Sequence, residues 1–326
     1  MNTFVEFEKE LSQINENNFD EIAWRLFHFQ ARHNPVYSSY LNHVKIDPDK
    51  IKSLEEIPFL PIRFFKNHEI KTGDWSTQRT YKSSGTTESI RSFHHLWDEP
   101  FYLNHAASTF EKFFGSLKQF HILALLPSYD TGHSSLVAMA RYFIAQSGSD
   151  DSGFYFSETT KLIELIDRLK YSDKRTILFG VSHSLLDLAG QGPYSFNNLL
   201  VIETGGMKGK KEELTRMDLH KKIKLGIGTL QVCSEYGMTE LCSQAYSKAE
   251  GVFQCAPTMK VLIKEINDPF SITDATGIIN VIDLANFHSC CFIETQDLGR
   301  VTENGFEVLG RADNSEARGC NLMIGS

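Results

Sequence analysis

The segment Tyr81-Lys82-Ser83-Ser84-Gly85-Thr86-Thr87 gathers four serine and threonine hydroxyls around one glycine. The hydroxyls supply donors, and the glycine lets backbone N–H groups turn inward with no Cβ in the way. Such a loop suits the β- and γ-phosphates of a nucleotide. It is not a P-loop, because no Gly-Lys-Ser/Thr follows at the required spacing. Taken alone, a cluster of this composition is more often an ordinary turn.

Two further motifs shift that balance. Glu235-Tyr236-Gly237-Met238-Thr239-Glu240 follows about 150 residues downstream, just after a short apolar run. Its tyrosine can stack on an adenine face, its threonine can donate to a phosphate, and Glu240 can hold Mg²⁺. Gln296-Asp297-Leu298-Gly299-Arg300 comes next, followed by Gly310-Arg311-Ala312-Asp313. An aspartate at 297 can accept both ribose hydroxyls, with Arg311 facing an anionic phosphate.

In this order the three motifs resemble those of the adenylate-forming superfamily: acyl-CoA synthetases, peptide-synthetase adenylation domains and luciferases. The resemblance covers roughly residues 57–320. It implies an α/β fold, the large N-terminal domain of those enzymes, with two α/β subdomains and a small β-rich one. It also implies ATP and Mg²⁺. Ser83, Ser84, Gly85, Thr86 and Thr87 would then hold the triphosphate. Gly205 and Gly206 would line the adenine site, with Tyr236 and Gly237 against the base. Thr239 would touch the α-phosphate, Glu240 would bind Mg²⁺ and Asp297 would grip the ribose. His133 sits where the family places residues beside the acid pocket.

The departures carry information too. Glu88 stands where the family loop has glycine, the lysine that normally follows is absent, and Gln296 replaces a glycine before Asp297. The chain ends soon after the hinge-like Gly310-Arg311-Ala312-Asp313, so the mobile C-terminal domain with its adenylation lysine is expected to be missing. Lys82, Arg91, Lys208 and Lys210 are candidate substitutes for that cation.

One branch fits these departures. Pro58-Phe59-Leu60-Pro61 running into Phe64-Phe65-Lys66, Thr204-Gly205-Gly206-Met207-Lys208-Gly209, and the ending Glu316-Ala317-Arg318-Gly319-Cys320 resemble the acyl-protein synthetase of the bacterial luminescence fatty-acid reductase complex. That resemblance implies activation of a carboxylic, fatty or related acid as acyl-AMP, transfer to the thiol of Cys320, and delivery to an acyl-CoA-reductase-like partner. Two alternatives stay open. One is an acyl- or aryl-CoA ligase using free coenzyme A; the other is an inactive adenylation core serving as a scaffold.

Other residues read more plainly. Cys233, Cys242 and Cys255 lack the Cys-x-x-Cys spacing of a zinc site and read as packed thiols. Cys290 and Cys291 sit in an apolar run and are expected to be buried. His94 and His95 read as solvated or capping groups. Ser182-His183-Ser184 lies in no Gly-x-Ser-x-Gly elbow.

The elements that must position these residues alternate. Helical spacing marks the first thirty residues, the segment after Gly132, Thr159 to Leu169, and a charged stretch from about Lys211 to Lys222. Short apolar runs at 120–126, 176–179 and 198–202 suit buried strands, which together with the helices imply βαβ units and a largely parallel sheet. The proline-broken run Ile57 to Lys66 is expected to be extended. Strands dominate beyond Gly251: 261–266, 277–282, 291–294 and 306–308. Residues 1–310 thus form the core, with a soft subdomain break near 200–230, and 311–326 form a short tail carrying Cys320. A formal charge of -8, with no concentrated run of Lys and Arg, argues against nucleic acid as a partner. Residues 1–14 carry acids and no long apolar core, and 120–127 is too short to span a bilayer. Six cysteines without a disulfide-scaffold spacing are expected to be reduced thiols in a cytoplasmic protein.

Overall fold

The computed structural model describes residues 2–84, 91–126, 132–156, 158–205, 214–249 and 251–312. Helices α1 (Asn2–Leu11), α2 (Phe19–His33) and α3 (Pro35–His43) open the chain, followed by strand β1 (Leu60–Pro61) and helix α4 (Phe64–Asn67). Next come β2 (Arg79–Lys82), β3 (Phe93–Leu96), α5 (Glu99–Phe114), β4 (Phe120–Leu125), α6 (Ser135–Ser147), β5 (Gly153–Phe154), α7 (Thr159–Leu169) and β6 (Arg175–Val181). Then follow α8 (Ser182–Ala189), β7 (Leu199–Thr204), α9 (Arg216–Ile227), β8 (Gln231–Tyr236), β9 (Ala245–Ser247) and β10 (Val252–Cys255). The last strands are β11 (Met259–Lys264), β12 (Gly277–Asp283), β13 (Phe292–Thr302) and β14 (Gly305–Arg311). This is the α/β architecture of the N-terminal domain of adenylate-forming enzymes.

The chain forms two compact units, one of residues 2–80, 91–97 and 255–312, the other of 81–84 and 98–254. The stretch 200–230, where the sequence suggests a soft break, lies inside the second unit. No helix among the described residues is long and apolar enough to cross a membrane.

In the second unit β5, β4, β6, β7 and β8 lie side by side and parallel, with β9 antiparallel on β8. Strands β4 and β7 are buried at every position, as expected when helices cover both faces of a parallel sheet. Phe120, Ile122, Ala124 and Leu126 point with Ile177, Phe179, Leu200, Ile202 and Cys233 toward α5 and α6. Leu123, Leu125, Leu178, Val201 and Val232 point the other way, toward α7, α8 and α9. The chain leaves β4 for β5 on one side and returns to β6 on the other, so a topological switch point falls between β4 and β6. Open α/β sheets bind ligands at the carboxyl ends of the strands beside such a point.

Local chemistry sets the helix ends. The Asp98 side chain accepts from Phe101 N at the start of α5, and Ser134 accepts from Val137 N at the start of α6. Helix α9 ends at Gly228, whose φ is +72° and where a Cβ would lie 2.1 Å from the Tyr194 carbonyl oxygen. Helices α8 and α9 approach backbone to backbone: a Cβ on Gly226 would lie 2.3 Å from the Ala189 carbonyl oxygen.

In the first unit β11, β12, β13 and β14 form an antiparallel meander, with β1 parallel to β13. Phe27, Tyr37 and Phe59 ring Phe292 at centroid distances of 5.8, 6.4 and 6.0 Å. The buried amide of Gln30 on α2 donates to Phe287 O at 3.1 Å and accepts from Cys291 N at 2.8 Å, tying α2 to the turn before β13. The run Ile57 to Lys66 is extended only through β1. From Phe64 it turns into α4, because Pro61 is its last proline and the residues beyond it are free to close a helical turn.

Candidate functional site

Register places one row of side chains across the carboxyl ends of the parallel strands. Val181 on β6 pairs with Thr204 on β7, Thr204 with Glu235 on β8, and Glu235 with Tyr246 on β9. Strand alternation turns this row toward the α5/α6 face, continuing Phe179, Ile202 and Cys233. Two of the sequence motifs leave from this edge. Gly205 follows Thr204 at φ +75°, exposed, with no heavy atom of the described residues within 4 Å of the position a Cβ would take. Tyr236 ends β8 with its ring 5.8 Å from that of Phe253. Gly237 follows, and a Cβ there would lie 2.4 Å from Glu235 Oε1, so a larger residue would displace that carboxylate. Thr239 is half-buried and Glu240 buried.

The hydroxyl loop starts in the same unit. Lys82 N donates to His133 O at 2.8 Å, which brings the strand before Ser83 and Ser84 to the loop that follows β4. Tyr81 donates to Glu99 Oε1 at 2.7 Å and packs against Tyr102 at 5.6 Å. The phenol of Tyr102 is raised well above its ordinary range, first by burial and then by the charges of Tyr81, Cys242 and Glu235. Tyr102 on α5 therefore neighbours both the hydroxyl loop's approach strand and the end of β8.

Two carboxylates on opposite faces of the sheet meet opposite fates. Glu203, on the α8/α9 face, pairs with Arg216 and lies 3.7 Å from His220 Nε2. Ser182 donates to its Oε2 at 3.0 Å and to the Gly205 carbonyl at 2.8 Å, so it braces the Gly205 turn. Burial pushes the Glu203 carboxyl up, but the His220 hydrogen bond and the Arg216 charge outweigh it and hold the group below the usual carboxylate range. Glu235, on the α5/α6 face, accepts a hydrogen bond from the Thr204 hydroxyl. Burial pushes it up to about 7; Thr204 opposes this and the Glu203 charge adds to it. Divergent pKa values in adjacent carboxylates are a mark of functional sites.

In the other unit Asp297 and Arg311 are cross-strand partners, with Arg311 Nε 3.8 Å from Asp297 Oδ1. Arg311 also donates to Gln296 Oε1 at 2.8 Å. The pairing depends on a β-bulge: Leu298 pairs with Gly310 and Gly299 with Val308, leaving Leu309 unmatched on β14. Gly310 sits in that bulge at φ +149°.

Of the residues singled out from sequence, Ser83, Ser84, His133, Gly205, Tyr236, Gly237, Thr239 and Glu240 belong to the second unit, Asp297 and Arg311 to the first. Gly85, Thr86, Thr87, Glu88, Gly206 and Cys320 lie outside the described residues. His94 is neither solvated nor a cap. It is buried, bonded through Nε2 to Asn286 Oδ1 at 2.9 Å and stacked on His288 at 5.8 Å, because β3 turns it inward. Cys233, Cys242, Cys290 and Cys291 are buried, as expected, and form no disulfide among the described residues. From sequence, Glu235 and Thr204 stand within motifs without a role, Ser182 is set aside as no hydrolase elbow, and Arg216 and Tyr246 are unmarked. Only Glu235 carried a signal, as the polar residue in phase with Cys233 at the end of β8.

The donor set suits a magnesium nucleotide. Serine and threonine hydroxyls match phosphate oxygens, the open Gly205 turn admits a planar group without a Cβ in the way, and the Glu240 carboxylate is a hard oxygen donor of the kind Mg²⁺ selects.

Solved structures of adenylate-forming enzymes share this fold. The chain is similar to O-succinylbenzoate coenzyme A synthetase from Bacillus subtilis in complex with ATP and magnesium, at TM-score 0.53 and 16% identity, covering 89% of this chain and 62% of that one. It is similar to McyG A-PCP complexed with phenylalanyl-adenylate, at TM-score 0.54 and 14% identity over 83% and 51% of the two chains. A third likeness is to the anthranilate CoA ligase AuaEII in complex with anthranoyl-AMP, at 0.53 and 13% over 74% and 49%. The chain thus spans about half to three fifths of the length of these neighbours. No protein-family model and no curated protein matches it.

Proposed function

We propose that the protein activates a carboxylic acid, fatty or related, as its acyl-adenylate. A carboxylate oxygen attacks the α-phosphorus of ATP and the bond to pyrophosphate breaks. Catalysis of such a step is mainly positioning and charge stabilisation. The hydroxyls of Ser83, Ser84, Thr86 and Thr87 would hold the leaving phosphates. Tyr236 and Gly205 would flank the adenine, Thr239 would donate to the α-phosphate, and Asp297 would accept from the ribose. Glu240 would carry Mg²⁺, which supplies countercharge to the phosphates when bound. Arg311 adds positive charge, and His133 would lie beside the acid.

The second half-reaction is acyl transfer to Cys320. Its thiolate attacks the carbonyl of the mixed anhydride, the carbon–oxygen bond to phosphate breaks, and AMP leaves with the electron pair. A cysteine with pKa about 8.5 already presents a few per cent thiolate at pH 7. The thioester would then serve an acyl-CoA-reductase-like partner.

The observation that carries the reading is the row at the carboxyl ends of β7 and β8, from which the Gly205 turn and the Tyr236-to-Glu240 motif both depart. Pyrophosphate exchange dependent on added acid tests the first half; none with a broad acid panel refutes it. Intact mass after incubation with acid and ATP tests the second. An acyl adduct absent from Cys320→Ser is expected. Acyl-CoA formation by that variant would instead favour a ligase using free coenzyme A, the activity named for two of the structural neighbours.

A further inference from the structure

Beside Glu235 the second unit keeps two polar atoms that its own fold leaves unsatisfied. Tyr246 is 1% exposed and Gln244 3%, yet among the described residues the Tyr246 hydroxyl and Gln244 Oε1 have no hydrogen-bond partner. Both neighbour Glu235. Tyr246 is its cross-strand partner, and the Cβ position of Gly237 lies 2.4 Å from Glu235 Oε1 and 3.4 Å from Gln244 Cγ.

The tyrosine is informative because packing does not need its oxygen. Its ring is held by Phe113 and Phe114 at 5.2 Å each and by Phe110 at 6.2 Å. A phenylalanine would fill that aromatic cage equally well. A buried hydroxyl without a partner costs about 1–3 kcal/mol, and so does an unmet amide oxygen. Such groups are kept where something else supplies the partner. The row that ends on them runs from Val181 through Thr204 and Glu235 to Tyr246, so it grades from apolar to hydrogen-bonding along the edge where the acid is activated.

We infer that this corner recognises a hydroxyl group on the tail of the carboxylic acid, with Tyr246 and Gln244 as specificity-determining residues; the inference rests on the adenylation reading above. The chemistry selects a hydroxyl because the corner asks for two complementary bonds. The Tyr246 O–H needs an acceptor and Gln244 Oε1 needs a donor. A hydroxyl oxygen provides both, and the amide orientation is set by Gln244 Nε2, which donates to Cys242 O at 3.2 Å and leaves Oε1 as the open acceptor. A plain alkyl tail provides neither and would leave both atoms unmet. The carboxyl of Glu235, protonated over much of the range below pH 7, reinforces an uncharged hydrogen-bonding corner over one that would bind a cation. Sites built to bond a substrate hydroxyl discriminate strongly against the analogue lacking it.

The test uses matched pairs: medium-chain acids with and without a hydroxyl on the second, third or terminal carbon, and phenylpropanoic acid with its para-hydroxy counterpart. Dissociation constants are measured by calorimetry on the full chain, and pyrophosphate exchange is run on the same pairs. At least one hydroxylated acid is expected to bind about ten-fold or more tightly than its partner. Tyr246→Phe and, separately, Gln244→Met are each expected to bring that ratio to near one. Their melting curves establish that both variants fold. The inference is overturned if every pair binds alike, as a trapped water in the corner would produce, or if a preference survives both substitutions. Exchange with hydroxylated and plain acids at equal rates sinks the inference alone. Absence of exchange and of binding with any acid sinks it together with the adenylation reading.

Discussion

Replacing Glu235 by glutamine should make the second unit's stability less sensitive to pH, in a window set by where that carboxyl sits. Its folded value is about 7 against an ordinary 4.5, with burial as the leading cause. Between those values the folded protein holds a proton that the unfolded chain releases. The wild type is therefore stabilised below about pH 4.5 and loses that contribution as pH rises through 7. The separation corresponds to roughly 3 kcal/mol, since one pKa unit is worth about 1.4 kcal/mol. Glutamine retains an oxygen to accept from the Thr204 hydroxyl and does not titrate. All three tryptophans, Trp24, Trp75 and Trp97, lie in the other unit, so intrinsic fluorescence is a poor reporter here. Amide exchange of peptides covering β7 and β8 reads the correct unit, and comparing the two proteins at each pH cancels the intrinsic rates. The ratio of wild-type to variant protection should fall by about two orders of magnitude between pH 4.5 and 7.5. Glu203 does not confuse the result, because its lowered pKa places its own contribution in the window below 4.5. A ratio that is flat with pH, or that rises, would refute the argument.

Three further outcomes concern the same unit. Arg216→Met leaves the Glu203 carboxylate, with a side chain 1% exposed, buried beside a neutral neighbour; a loss of about 3–5 kcal/mol is expected in urea unfolding followed by circular dichroism, with much of it recovered when Glu203→Gln is added. Gly226→Ala drives a Cβ to within 2.3 Å of a carbonyl oxygen on α8 and should lower stability by about 2 kcal/mol or more. Gly148→Ala, at φ +57° with open space around it, should lose only about 1 kcal/mol by the same measurement.

The parts of the fold legible in the sequence were those whose burial pattern is extreme. Strand β4 is apolar but for His121, and α7 carries Leu162, Leu165, Ile166 and Leu169 at helical spacing, so both are placed to within a residue. Helix α5 went unread, although Asp98 and Pro100 mark its start, because its buried face is made of Tyr102, Ala106, Thr109 and Phe110 rather than leucines. Strand β8 was obscured by Gln231, Ser234 and Glu235, which break its apolar run while remaining largely buried. Of these, Glu235 is the one that lies in the strand-edge row. Motif positions such as Tyr236 and Glu240 could be named from spacing, but the partners of Glu235 come from β7 and β9, and only register brings Thr204 and Tyr246 to it. Long-range pairing leaves no trace in a single sequence when both partners look like ordinary strand residues.

The unmatched Leu309 also fixes the parity of everything that follows it. Side chains alternate across a strand, so one surplus residue exchanges the two faces from that point on. Were the same residues paired one-to-one from Val308 with no bulge, Gly310 would stand opposite Asp297 and Arg311 one place beyond it on the other face. Deleting Leu309 is thus a different kind of change from shortening a loop: it would remove the surplus residue and an exposed side chain while leaving Arg311 opposite Asp297 in an unbroken ladder.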